Sequence, residues 1–114
     1  MVKIIFNPDK YKLEIKGHAD HGKKGEDIVC AAVSTLFYTL GEALWESRDM
    51  LLEPPTIKDD NGYGYIICKP KPEYEGNIAR TYWTILVGFD LIAKNYEKNA
   101  KIEVKRGKVG QKSK

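Results

Sequence analysis

Short runs of alternating apolar and polar residues flank two longer stretches of helical spacing. Val2, Ile4 and Phe6 alternate with Lys3 and Asn7, interrupted by Ile5, and predict a first strand. Asn7-Pro8-Asp9-Lys10 is a turn. Tyr11, Leu13 and Ile15 then alternate cleanly with Lys12, Glu14 and Lys16, which predicts a half-buried strand paired antiparallel with the first. If the pleat continues, His18 shares the polar face of Lys12, Glu14 and Lys16. A polar, glycine-bearing loop is predicted over Ala19–Glu26, followed by a helix from about Ile28 to Arg48. Its apolar stripe is Cys30, Val33, Phe37, Leu40 and Leu44, with Leu36 beside it. Asp27 stands where an N-cap carboxylate would accept a first-turn N–H. Gly41 interrupts this helix and suggests close contact with another helix.

Beyond it, Pro54-Pro55 excludes helix in an otherwise ambiguous Met50–Thr56 stretch, and Asp59-Asp60-Asn61-Gly62 reads as a turn. Tyr63, Tyr65 and Ile67 predict a further strand ending at Lys69-Pro70. A second helix is predicted over about Asn77–Glu97. Ile78, Tyr82, Ile85, Phe89, Ile92 and Tyr96 keep the strongest periodic register in the chain. Ile102 and Val104 mark a last strand. The order ββα…βαβ predicts an α+β two-layer sandwich, with two helices on one face of a mixed or antiparallel sheet. One domain over residues 1–104 and a basic tail over 105–114 are expected.

The formal charge of +3 belongs to that tail. Lys105, Arg106, Lys108, Lys112 and Lys114 lie in it without an acid, so the rest of the chain is slightly acidic. The basic balance therefore does not point to nucleic acid, and Tyr82, Trp83, Phe89 and Tyr96 lack the interleaved basic pattern of a stacking platform. No apolar run approaches the roughly 20 residues of a membrane span, so no membrane association is expected. Two cysteines without CxxC spacing suggest neither a disulfide framework nor a zinc site. A reducing cytoplasm is the simplest compartment.

Candidate chemistry concentrates in Gly17–Ser34, which holds both histidines, His18 and His21, and Cys30. A cysteine in the first turn of a helix meets the positive end of its dipole, and a histidine from a neighbouring strand can serve as its base. Asp27 one turn earlier would oppose a thiolate. Ser34, one turn later, could support the sulfur or a substrate oxygen, or simply bond back to its own helix. Gly22 and Gly25 would let the loop move as a gate. His21 reads as a solvated loop imidazole and Cys68 as a structural thiol. The histidine and cysteine spacing matches no metal pattern, and no cofactor is implied.

The run G-H-A-x5-G-x-D-x-V-C-A-A-V-S is carried here by Gly17, His18, Ala19, Gly25, Asp27, Val29, Cys30, Ala31, Ala32, Val33 and Ser34. It resembles the ribosomal-processing cysteine protease family, Prp. The resemblance implies an α+β homodimer with His18 and Cys30 as a catalytic dyad and Asp27 and Ser34 in support. It implies an endopeptidase that removes the N-terminal extension of a large-subunit ribosomal protein, or acts on a related phage capsid or scaffold protein. The competing readings are a non-catalytic ribosome-associated protein using the basic tail, and a thiol redox sensor whose resolving partner would have to be Cys68.

Overall fold

The computed structural model describes residues 1–17 and 24–106, with the backbone alone for 24–27. Its five strands are β1 (Val2–Asn7), β2 (Lys12–Lys16), β3 (Thr56–Asp60), β4 (Tyr63–Ile67) and β5 (Ala100–Val104). They form one sheet in the order β3-β4-β2-β1-β5. All neighbours are antiparallel except β1 and β5, which run parallel, so the sheet is mixed. The helices are α1 (Lys24–Glu46) and α2 (Glu75–Asn95). The chain order is therefore ββαββαβ, one strand more than the sequence suggests. The extra strand is β3, whose five residues are all exposed, so no burial pattern marks it. It turns into β4 through Asn61 and Gly62, and Gly62 supplies the positive φ of 82°.

Both helices cover one face. Ile4, Phe6, Leu13 and Ile66 rise from the sheet into a core with Val33, Phe37, Leu40 and Leu44 of α1 and Ile78, Tyr82, Ile85 and Phe89 of α2. Each such side chain contributes roughly 1.5–3 kcal/mol by burial. The expected stripes are buried at Val33, Phe37, Leu40 and Leu44 and at Ile78, Tyr82, Ile85 and Phe89; Cys30, Ile92 and Tyr96 are only half-buried, and Val29 takes the core position expected of Cys30. The glycine roles differ from expectation. A Cβ on Gly41 would meet Ile57 Cδ1 of β3 at 3.0 Å, so this glycine admits the sheet, not the other helix. The helix–helix approach is at Gly88, where a Cβ would lie 2.8 Å from Leu36 Cδ1. By length and composition Ile28–Glu46 would pass for a membrane span, contrary to expectation. Its stripe of Val29, Val33, Phe37, Leu40 and Leu44 is buried within the fold, which is the behaviour of a core helix.

On the outer side of α2, Trp83 meets Phe6 edge to face at 5.1 Å but stays 38% exposed. Val87 and Leu91 are exposed along the same helix, and Val104 on the adjoining edge strand β5.

Candidate active site

Alternation brings Ile15 to the helix-covered face of β2, and Gly17 follows where the strand stops. Gly17 adopts φ +104°, a region open to glycine, and a Cβ there would sit 2.3 Å from the Met1 carbonyl oxygen. Its N–H donates to the Gly62 carbonyl at 3.0 Å, which ties the end of β2 to the β3–β4 turn. Between that tie and α1 lies a cavity of about 170 Å³. From α1 it is lined by Cys30, Val33, Ser34, Phe37 and Tyr38, residues that share one side at helical spacing. Val33 and Phe37 are buried and form its floor; Cys30 is half-buried; Ser34 and Tyr38 are exposed. Facing them are Asp59, Asp60 and Tyr63 from the β3–β4 hairpin, and Tyr38 donates a hydrogen bond to Asp59 across the gap.

Cys30 and Ser34 thus meet in one cavity, with the residue preceding His18 in its wall. His18, His21 and Gly22 lie outside the described residues. Two expectations are corrected. The helix starts at Lys24, so Gly25 belongs to its first turn and not to a gating loop. Asp27 is likewise inside the helix rather than its N-cap, and Cys30 closes the second turn. Gly25 hid this start, because glycine disfavours helix interiors. The dipole's influence fades within the first turn, so it has less hold on Cys30 than expected, and a neighbouring base matters more.

The residues missed by sequence reading are Tyr38, Asp59, Asp60 and Tyr63. Tyr38 could have been found by continuing the Cys30–Ser34 spacing by four residues. In the sequence pattern Asp59 and Asp60 fall in a turn; the pairing of β3 with β4 sets Asp59 on the helix-covered face beside Gly64 and Asp60, which also lines the cavity, on the other face. No group of metal-ligating side chains occurs among the described residues.

Cys68 is a different thiol. It is buried, and burial pushes its pKa up. The Tyr82 hydroxyl lies 3.5 Å from its sulfur and donates to the Tyr11 carbonyl at 2.6 Å. Five residues along β4 separate it from Tyr63 in the cavity wall, roughly 16 Å of extended chain. Cys68 is not among the residues that line the cavity with Cys30; it belongs to the core.

Comparison with known proteins gives one consistent picture. The family model described as cysteine protease Prp matches residues 1–101. The ribosomal processing cysteine protease Prp of Staphylococcus aureus is 29% identical over 89 residues, covering 78% of this chain and 81% of that protein. A crystal structure of the essential ribosomal processing protease Prp from S. aureus with a covalently linked product peptide superposes with a TM-score of 0.71 at 26% identity. It covers 92% of this chain and 100% of that one. A second, with a substrate peptide, gives a TM-score of 0.68 at 28% identity over 91% and 97% of the two chains.

Proposed function

This chain belongs to the Prp family of cysteine proteases, and from that premise we propose that it processes a ribosomal protein by hydrolysis at Cys30, with His18 as base. The observation that carries the assignment is the cavity: Cys30 opens into it, and Gly17, to which His18 is bonded, forms its wall. Cys30 thiolate attacks the scissile carbonyl carbon. His18 protonates the leaving amine, and a thioester remains. His18 then takes a proton from water as that water attacks the thioester, which releases the acid and restores the thiol. Backbone N–H groups around Cys30 are committed to the helix ladder, since α1 begins six residues earlier. The Ser34 hydroxyl, on the cavity side one turn on, is therefore the donor we assign to the oxyanion. Asp27 keeps a supporting role through its place in the first turn.

The substrate we assign is an extended N-terminal segment of a large-subunit ribosomal protein. The S. aureus relative holds a peptide in its crystals, and a cavity walled by Val33 and Phe37 suits one apolar side chain of such a segment. Two further readings belong to the proposal. The exposed row Trp83, Val87 and Leu91 beside Val104 is the face on which two copies would pair, since burying it in a dimer removes apolar area from water. Two free cysteines suit a reducing cytoplasm.

The test is cleavage of a synthetic peptide spanning the extension. Cys30→Ala and His18→Ala are each expected to abolish turnover with an unchanged thermal midpoint. Turnover retained by Cys30→Ala would end the cysteine-protease assignment, and a loss in His21→Ala as large as in His18→Ala would name the other imidazole.

A further inference from the structure

Among the described residues no helix covers the second face of the sheet, and strand alternation sorts charge onto it. Register places Lys3 beside both Lys16 and Lys101, and Lys58 across from Tyr65. With Lys12, and with Lys105 following β5, six lysines share this face with three acids, Glu14, Asp60 and Glu103; Lys12 pairs with Glu14 at 3.8 Å and Lys58 with Asp60 at 3.6 Å, which leaves a net excess of three positive charges. Away from this face, exposed Glu42, Glu46, Asp49, Glu53 and Asp90 accompany exposed Arg48, Lys69, Arg80 and Lys94, with Lys69 paired to Glu53 and Lys94 to Asp90. The chain outside the tail is slightly acidic overall, so its composition conceals a basic face.

Two aromatic rings stand among these lysines. Tyr63 and Tyr65 are half-buried, their centroids 6.0 Å apart, and the Lys12 ammonium lies 5.0 Å from the Tyr65 centroid. The Tyr63 hydroxyl is anchored to Glu14 at 2.5 Å, which fixes its ring while leaving the face polar. Of the aliphatic side chains on this side, Ile5 of β1 is 4% exposed and Ile67 of β4 is half-buried, so the open aliphatic surface is confined to one residue. A protein partner docked by hydrophobic contact finds little here. A second copy is disfavoured too, because two faces that each carry a net excess of three positive charges repel.

We propose that this uncovered sheet face binds single-stranded nucleic acid, with the lysines on phosphates and Tyr63 and Tyr65 beneath the bases. Rings carry affinity without sequence preference because every base has a π face, and spaced ammonium groups follow the backbone. Five strands at about 4.8 Å spacing give a platform roughly 20 Å across, enough for a short single strand. Tyr82, Trp83, Phe89 and Tyr96, the aromatics that the sequence pattern singles out, lack an interleaved basic pattern. On this face rings and lysines interleave across β2 and β4, which pairing alone reveals.

The experiment measures binding of short fluorescent single-stranded RNA and DNA of mixed sequence to the full chain as a function of salt. Micromolar or tighter binding of either at low salt is expected. The triple variant Lys3→Gln, Lys12→Gln, Lys101→Gln should flatten the slope of log K against log salt by about 0.7 per lysine removed. Tyr65→Leu should weaken binding on the order of tenfold. Peptide turnover should be unchanged in both, so failure here is separate from failure of the protease assignment. A control triple, Lys69→Gln, Lys71→Gln, Lys94→Gln, removes equal charge elsewhere and should leave binding intact. The proposal is overturned by absent binding or by equal loss in the control triple. It is overturned as well if deleting residues 105–114 abolishes binding that the first triple leaves unchanged, or if anionic vesicles or an acidic peptide bind the same face more tightly than either oligonucleotide.

Discussion

Cys30 and Cys68 are both free, yet they differ in exposure and in polar neighbours. Cys30 is half-buried and opens into a cavity shared with Ser34, next to the strand end that leads to His18. Cys68 is enclosed by core residues and a tyrosine hydroxyl, and burial disfavours its thiolate. Both sit beside apolar positions in the sequence. The difference lies in access and polar neighbours, which a one-dimensional pattern records poorly.

The sharpest way to break this contrast is alkylation of the native protein. Iodoacetamide should modify Cys30 and spare Cys68, as read by peptide mass spectrometry; modification of Cys68 first would remove the distinction. Correspondingly, Cys68→Ala should keep turnover while lowering stability by about 1–2 kcal/mol, the cost of a small cavity.

Gly17→Ala tests the cavity wall. The new methyl would meet the Met1 carbonyl oxygen at 2.3 Å and occupy a strained φ of +104°. A loss of about 2–3 kcal/mol in chemical denaturation is expected, together with lower turnover. Wild-type stability in this variant would mean that the wall is plastic.

Tyr82→Phe probes the other region. It removes the donor to the Tyr11 carbonyl, which keeps only the 3.3 Å bond from the Cys68 N–H. Tyr11 itself holds a positive φ of 51°, so that bond helps retain a costly conformation. About 1 kcal/mol of stability should be lost with turnover unaffected.

The smallest effect belongs to Tyr63→Phe, in the strand that spans both regions. The bond from Tyr63 holds the Glu14 carboxyl below its ordinary range and pushes the Tyr63 phenol up to about 12. Glu14 is depressed in the folded state, so its stabilisation is present above its unfolded value near 4.5 and is lost as pH falls through the folded one. Tyr63 is raised, so its contribution is complete below 10 and disappears as pH climbs toward about 12. Tyr63→Phe should therefore cost about 0.5 kcal/mol near neutrality, discounted for exposure, and less at either extreme. A deficit that is constant from acid to alkaline pH would show that the bond is not the cause.

What could be read in advance follows from burial. The α2 stripe of Ile78, Tyr82, Ile85 and Phe89 is buried as its spacing predicts, and β2 turns Leu13 to the core as expected; β4 forms where its alternation predicts, but Gly64 and Ile66 are its buried residues, while Tyr63, Tyr65 and Ile67 take the other face. Cys30 and Ser34 were legible as a pair because one helix carries both. β3 was not, because an edge strand with both sides toward solvent has no alternation to detect. The early start of α1 was masked by Gly25, and the Tyr38–Asp59 bond depends on two segments meeting across 21 positions of sequence. Local pattern registers what the core demands of a segment; it is silent where solvent or a distant partner sets the conformation.

The parallel pairing of β1 with β5 has a kinetic meaning. Val2 aligns with Ala100 and Phe6 with Val104, so the sheet's central order depends on contacts of very high sequence separation. During synthesis the β1–β2 hairpin can form early, but β1 keeps an open edge until residues 100–104 have been made. Closure by β5 arrives last, and such long-range pairing is slow because the loop-closure entropy comes before its reward. The folding rate should therefore respond more to substitutions in β1 and β5 than to equally destabilising ones in the β3–β4 hairpin, and a nascent chain halted before residue 100 would present β1 as an unpaired edge to any strand that meets it.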